Sequence, residues 1–146
     1  MKTSYDRKTW MSLLATAPAE LLETMWDHAG FDPDFSTLRK PEIGSVMVRG
    51  RLGGGGAAFN MGEMTVTRCS VQLREGVVGH SYVQGRDKEK AQLAALADAM
   101  MQTDLASEVQ LRVLDPLQKA KDARKTERAE KAAATKVEFF TLVRGE

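Results

Sequence analysis

The residue types that most often carry chemistry are sparse in this chain. It has one cysteine, Cys69, and two histidines, His28 and His80. No spaced Cys/His set can hold a structural zinc or an iron–sulfur cluster, and no internal disulfide can form. Neither a Ser/His/Asp nor a Cys/His arrangement stands out, nor does a pair of carboxylates. Cys69 falls within an apolar strand pattern and reads as a small buried hydrophobe, with nothing to mark it as a low-pKa thiolate. His80 alternates with apolar neighbours on a strand, and His28 lies in the last turn of a helix, where the helix dipole favours a cation. Both read as structural.

Two glycine-containing segments have the composition to meet a phosphate. Gly53-x-Gly55-x-x-Ala58 formally satisfies a dinucleotide fingerprint. The glycines lead into Phe59-Asn60-Met61 and a strand rather than a helix, so the N-terminal dipole on which that fingerprint relies is missing. Arg51-x-Gly53-Gly54-x-Gly56 is therefore either a flexible hairpin loop or a loop that folds over a phosphate or a partner chain. Val83-Gln84-Gly85-Arg86-Asp87-Lys88 leads from a strand into a helix start, whose free N–H groups attract anions. Gly85, Arg86 and Lys88 thus become phosphate- or partner-binding candidates. The opposing reading is that Asp87 is an ordinary N-cap occupying those same donors.

The elements that must position these residues follow from periodicity. Trp10, Leu13 and Leu14, then Leu21, Leu22, Met25, Trp26 and Ala29, recur at helical spacing, with Pro18 at a first turn and Gly30 just past an end. After the turn at Phe31-Asp32-Pro33-Asp34, residues 35–39 and 44–52 have strand character, broken at Lys40-Pro41. Residues 64–73 and 77–84 resume it, joined by the short turn Arg74-Glu75-Gly76. The result is an antiparallel meander. From Asp87 the pattern returns to helix, small or apolar nearly all round, so that helix is expected to be buried and closely packed. Another helix runs through Leu105, Val109 and Val113, and Asp115-Pro116 is expected to cap the start of a last one. Residues 117–136 are basic, with Lys119, Lys121, Arg124, Lys125, Arg128 and Lys131, but have almost no bulky apolar residue. That helix cannot bury much against its own domain. Asp122, Glu127 and Glu130 interleave with the cations and no aromatic is present to stack on bases, which argues against a nucleic-acid contact. Val137 to Val143 is apolar and expected to be extended.

These elements predict an α+β fold: a four-stranded antiparallel sheet with two N-terminal helices and the Asp87 helix on one face, a C-terminal helical arm and a terminal extended segment. The expected division is a compact domain over 1–115 and a helix with a partner-binding segment over 116–146. Phe139, Phe140, Leu142, Val143 and Arg144 are the partner-binding candidates there, because an apolar patch left in water needs a cover.

At 146 residues the chain has the size of one domain. The 42% hydrophobic fraction contains no run near the roughly 18 apolar residues of a membrane helix. Net charge is +1, with 21 Lys and Arg against 20 Asp and Glu, so no bulk charge drives binding to nucleic acid or membrane. Asp6, Arg7 and Lys8 interrupt the start, where a signal peptide would need an apolar run, and a cytoplasmic location is expected. From residues alone, the chain reads as a binding or subunit protein rather than a complete enzyme.

Over nearly its whole length the chain resembles the PhnG family, the small G subunits of the bacterial carbon-phosphorus lyase machinery. The resemblance rests on five segments in order: Arg7-x-x-Trp10-Met11 with Leu14-Ala15; Pro18-Ala19-Glu20-Leu21; Arg51-x-Gly53-Gly54-x-Gly56; Gly79-x-Ser81-x-Val83-Gln84-Gly85-Arg86-Asp87-Lys88; and Phe139-Phe140-Thr141-x-Val143-Arg144-Gly145. It implies a non-autonomous subunit in phosphonate utilisation, assembled with H, I and J subunits and working with the L protein. The family is associated with displacing adenine from ATP by a phosphonate, giving a ribose 1-phosphonate 5-triphosphate, with a nucleosidase-like centre assigned to the I subunit. ATP and a phosphonate are then substrates of the complex, no cofactor is expected on this chain alone, and the resemblance supplies no catalytic residue for it. A stand-alone phosphate- or nucleotide-binding domain and a small nucleic-acid-binding module are the competing classes.

Overall fold

The structure, a computed structural model, describes the backbone of residues 5–144 and their side chains other than those of Leu52, Asn60 and 138–144. Two helices open the chain, α1 (Arg7–Thr16) and α2 (Ala19–Ala29). Asp6 caps α1 by accepting from the Thr9 N–H at 2.8 Å. Gly30 ends α2 in the left-handed region at φ 71°, a conformation that costs glycine little. Three antiparallel strands come next in the order β1 (Phe35–Arg51), β2 (Ala58–Leu73), β3 (Val78–Gln84). All four segments expected to be strand are strand. The first two join because Lys40-Pro41 is a bulge rather than a break: Arg39 pairs with Ser70 and Glu42 with Arg68, leaving Lys40 and Pro41 opposite Cys69. The strand tolerates Pro41 because β1 is the sheet edge, where no ladder N–H is needed from it.

Helix α3 (Lys88–Met100) covers the face of the sheet formed by Thr67, Cys69, Val71, Gly79, Ser81 and Val83. Its alanines let it approach closely. A Cβ added at Gly79 would strike the Ala95 carbonyl oxygen and come within 2.7 Å of the Ala99 Cβ, so a side chain here would push helix and strand apart. As its all-round pattern predicts, α3 is buried along nearly its whole length, including Ala91, Ala94–Met100 and two charged residues, Lys90 and Asp98. Helix α1 lies beside it on β3, while α2 packs on α3 and on the chain after it, one layer further from the sheet than predicted.

Helix α4 (Ala106–Val109) widens into a π-turn over Gln110–Leu114 that runs straight into α5 (Asp115–Arg144). The expected fresh start at Asp115-Pro116 is absent, and Asp115 is itself helical at φ −62°, ψ −45°. Pro116 has no N–H to give the turn before it, and a widened turn accommodates that loss without ending the helix. Asp115 instead accepts from the Tyr5 hydroxyl at 2.8 Å. A second correction concerns residues 137–143, whose backbone continues α5 rather than extending. Adding residues to an existing helix costs far less than starting another element, and this outweighs the β preference of a short apolar run.

Candidate functional site

The motif Gly79 to Lys88 is, first of all, a device for joining strand to helix. Gly79 allows the close approach of α3. Ser81 Oγ donates to the Ala91 carbonyl at 2.6 Å. Thr67, fully buried on β2, clamps the turn between them: its hydroxyl donates to the Gly85 carbonyl at 2.7 Å and accepts from the Asp87 N–H at 3.1 Å. Gly85 takes φ 88° to make the corner. The Asp87 carboxylate accepts from the Lys90 N–H at 2.9 Å and so caps α3. Arg86 and Lys88 are placed beside this cap. An acidic groove of Glu23, Asp27 and Glu89 lies at the same end of α3. There burial, then the nearby Glu89 and Asp87 carboxylates, push the Glu23 carboxyl up. This helix start thus carries its own negative charge.

A second cluster escaped the sequence reading. Asp98 is fully buried, and four donors converge on its carboxylate: Arg7 Nε at 3.2 Å, Arg7 Nη2 at 2.9 Å, Trp10 Nε1 at 2.8 Å and the His80 backbone N–H at 2.9 Å. Hydrogen bonding to Asp98 raises the Arg7 guanidinium above its ordinary value. The spacing Arg7-x-x-Trp10 thereby gains a physical reason, since one helical turn aims both donors at one carboxylate. The signal was available: Asp98 is the one charged residue in the apolar run Leu93–Met101. This cluster ties α1, α3 and β3 together around a carboxylate that is itself fully buried, with Arg7 partly exposed at its edge.

Two elements run beyond the packed core over part of their length. β3 pairs with β2 only from Val66 to Gln72, so Ser45–Arg51 and Ala58–Thr65 continue as a two-stranded ribbon, roughly 25 Å long at about 3.3 Å per residue. Several of its large apolar side chains are exposed: Met47 is 54% exposed, Met61 64% and Phe59 44%. Met61 and Phe59 lie over Gly50, where an added Cβ would come within 2.6 Å of the Met61 sulfur. At the tip Gly53 and Gly54 turn the chain with φ 61° and 80°, and Arg51 Nη1 reaches the Gly56 carbonyl at 3.4 Å. The glycine loop is thus the tip of a projecting hairpin, where Leu52–Gly54 make a short 3-10 turn and the chain passes into β2 rather than an α-helix.

The other element is α5. Among the residues whose side chains are described, Leu117 is its last buried one, and from Lys125 to Val137 every residue is exposed. Thirty residues span roughly 45 Å at 1.5 Å each. Phe139, Phe140, Leu142, Val143 and Arg144 lie at its far end, and their side chains are outside the described residues. The candidate residues therefore do not converge. Gly85 donates its N–H to Thr65 at the base of the ribbon, roughly 25 Å from the glycine tip, and the third group sits at the end of α5.

Burial pushes the Cys69 thiol up, as suits an inert core residue. Among the described residues, no group of three or more His, Cys, Asp or Glu is placed to hold a metal, and no helix is long and apolar enough to cross a membrane.

Comparison with known proteins places the chain among phosphonate metabolism proteins. The sequence profile of the family described as phosphonate metabolism protein PhnG matches residues 5–145. A curated relative from Rhizobium meliloti (strain 1021), named as the PhnG subunit of alpha-D-ribose 1-methylphosphonate 5-triphosphate synthase, is 45% identical, covering 99% of this chain and 96% of that protein.

Proposed function

The chain belongs to the PhnG family of phosphonate metabolism proteins, and from that membership we propose that it is a non-autonomous subunit of a ribose 1-methylphosphonate 5-triphosphate synthase. In the reaction of that complex a phosphonate oxygen forms a bond to the ribose C1 of ATP. The bond from C1 to the adenine nitrogen breaks, adenine leaves with a proton, and the 5-triphosphate is retained. The subunit's part is assembly: its ribbon and α5 dock against other subunits, which we assign as H, I and J, with the L protein acting alongside, in the cytoplasm. The observation that carries this reading is the full-length match to a named synthase subunit.

The geometry supports it. The most specific motifs serve the chain's own packing, while two projections leave apolar surface or backbone uncovered. Residues 1–115 form the body that presents these projections, and 116–146 the helical arm. Arg51, Gly53, Gly54 and Gly56 are assigned to a partner contact at the ribbon tip, and the end of α5 to a second one. Arg86 and Lys88, beside the acidic groove, fit a partner surface better than a free phosphate.

An omission experiment tests this directly. The H, I, J and L proteins, ATP and methylphosphonate are combined with and without this chain, and adenine release is followed together with the phosphorus spectrum of the product. Turnover that requires this chain is expected. Equal turnover without it, or adenine release by this chain alone, overturns the reading.

A further inference from the structure

The sheet face opposite α3 carries a feature that neither packing nor the projections absorb. Ser70 pairs with His80 and with Arg39 across the sheet, and Arg68 pairs with Tyr82 and Glu42, so side chains from all three strands share one open face. Between them lies a groove of about 280 Å³ lined by Arg39, Arg68, Ser70, His80 and Tyr82. It is rich in donors. The two guanidiniums have one carboxylate between them, Glu42, with both contacts at 3.6 Å. Charge-assisted hydrogen bonds close to about 2.7–2.9 Å, so Glu42 holds the arginines near without using their N–H groups.

Arg68 is the more telling of the two. Its guanidinium sits 6.0 Å from the Tyr82 ring centroid, and its Nε is buried with no hydrogen-bond partner. A buried donor of a charged group without an acceptor is costly, and among the described residues neither guanidinium has a contact to an acceptor shorter than the 3.6 Å ones to Glu42. His80 adds to the set. Its Nδ1 lies 2.8 Å from Ser70 Oγ. In the tautomer in which the serine hydroxyl donates to Nδ1, the proton is on Nε2, a further donor on an exposed side chain.

We infer that this open-face groove is a binding site for a small tetrahedral oxyanion of the phosphoryl or phosphonyl class. Donors arriving from three strands suit an anion with three equivalent oxygens better than a planar carboxylate, which one guanidinium satisfies in a fork. Glu42 keeps the cations in place while the site is open, and an incoming oxyanion supplies the acceptors they lack. The site rests on its own geometry and goes beyond the subunit reading. A synthase that turns over while its groove takes no phosphate refutes the site and leaves that reading standing.

The test uses the full chain within its co-purified complex, titrated at low salt with inorganic phosphate, methylphosphonate, tripolyphosphate and acetate by calorimetry. In parallel, the arginine Nε resonances of the labelled full chain are followed. Saturable phosphate or phosphonate binding that shifts an arginine Nε signal is expected, with Arg39→Gln and Arg68→Gln each weakening it about ten- to a hundredfold. Arg74→Gln, at the β2–β3 turn outside the groove, serves as the control and is expected to leave binding unchanged. Tighter tripolyphosphate points to the triphosphate end of a nucleotide as the source, tighter methylphosphonate to the free phosphonate. Acetate binding as tightly as phosphate, no saturation at millimolar phosphate, or binding unchanged in both variants overturns the assignment. Should Arg68→Gln not fold, Arg39→Gln decides, because Arg39 is half exposed with a side-chain exposure of 50%.

Discussion

Asp98 ties α1 and β3 to α3 through four hydrogen bonds to its buried carboxylate. Asp98→Ala leaves Trp10 Nε1 and the His80 N–H without acceptors and is expected to lower stability by about 3 kcal/mol or more. Asp98→Asn should recover little, since its amide nitrogen brings donors to a place where four already point. Denaturant unfolding that finds both variants within about 0.5 kcal/mol of the parent removes Asp98 from that role. A second residue-scale expectation concerns Tyr5, whose hydroxyl is pushed up to about 12 by burial first, then by its hydrogen bond to Asp115 and by that carboxylate's charge. The folded value lies above the ordinary 10.0, so the protonated phenol favours the fold below pH 10, and this contribution is lost as pH rises toward 12. In a Tyr82→Phe background Tyr5 is the sole tyrosine. Its absorbance titration should then fall near 12 and move down on Asp115→Asn, whereas an unmoved midpoint would contradict the contact. Asp98 was legible in principle as a lone charge among alanines. The Tyr5–Asp115 pair was not, because residues 110 positions apart meet only through the fold.

Helices and strands were largely legible because their signals are local. The caps at Asp6, Gly30 and Asp87 and the glycine corner at Gly85 each mark an element boundary that the chain adopts. Lys40-Pro41 and Asp115-Pro116 misled for one reason. Proline reads as punctuation, yet an edge strand and a widened helical turn both accept it. The ribbon was hidden because alternation shows where a strand is but not whether a neighbour covers it. Its sequence trace is length: β1 runs 17 residues, against a usual five or six. For α5 the composition did give the answer, since a helix without an apolar stripe has nothing to dock. Removing residues 125–146, of which 125–137 are exposed, is expected to change unfolding stability by less than about 0.5 kcal/mol while reducing co-purification of partner subunits. A remainder that aggregates would show that the arm belongs to the chain's own core.

At the scale of the whole molecule, a packed body carries two projections, and the role proposed for them is to dock against other subunits of the complex. An isolated two-stranded ribbon is marginal in water, and burying one large apolar side chain stabilises by roughly 1.5–3 kcal/mol. Covering Met47, Phe59 and Met61 thus offers a partner a substantial gain even after the cost of ordering the contact. No pattern in one sequence identifies such a partner, because complementarity resides in the other chain. The most direct measurement is amide hydrogen exchange of this chain alone and within the assembled complex. Slowed exchange on assembly, concentrated in the ribbon over residues 45–65 and along α5 beyond Leu117, with little change in α3 and β3, is the predicted result. Identical exchange in those two elements in both states, or protection confined to the body, would contradict the account.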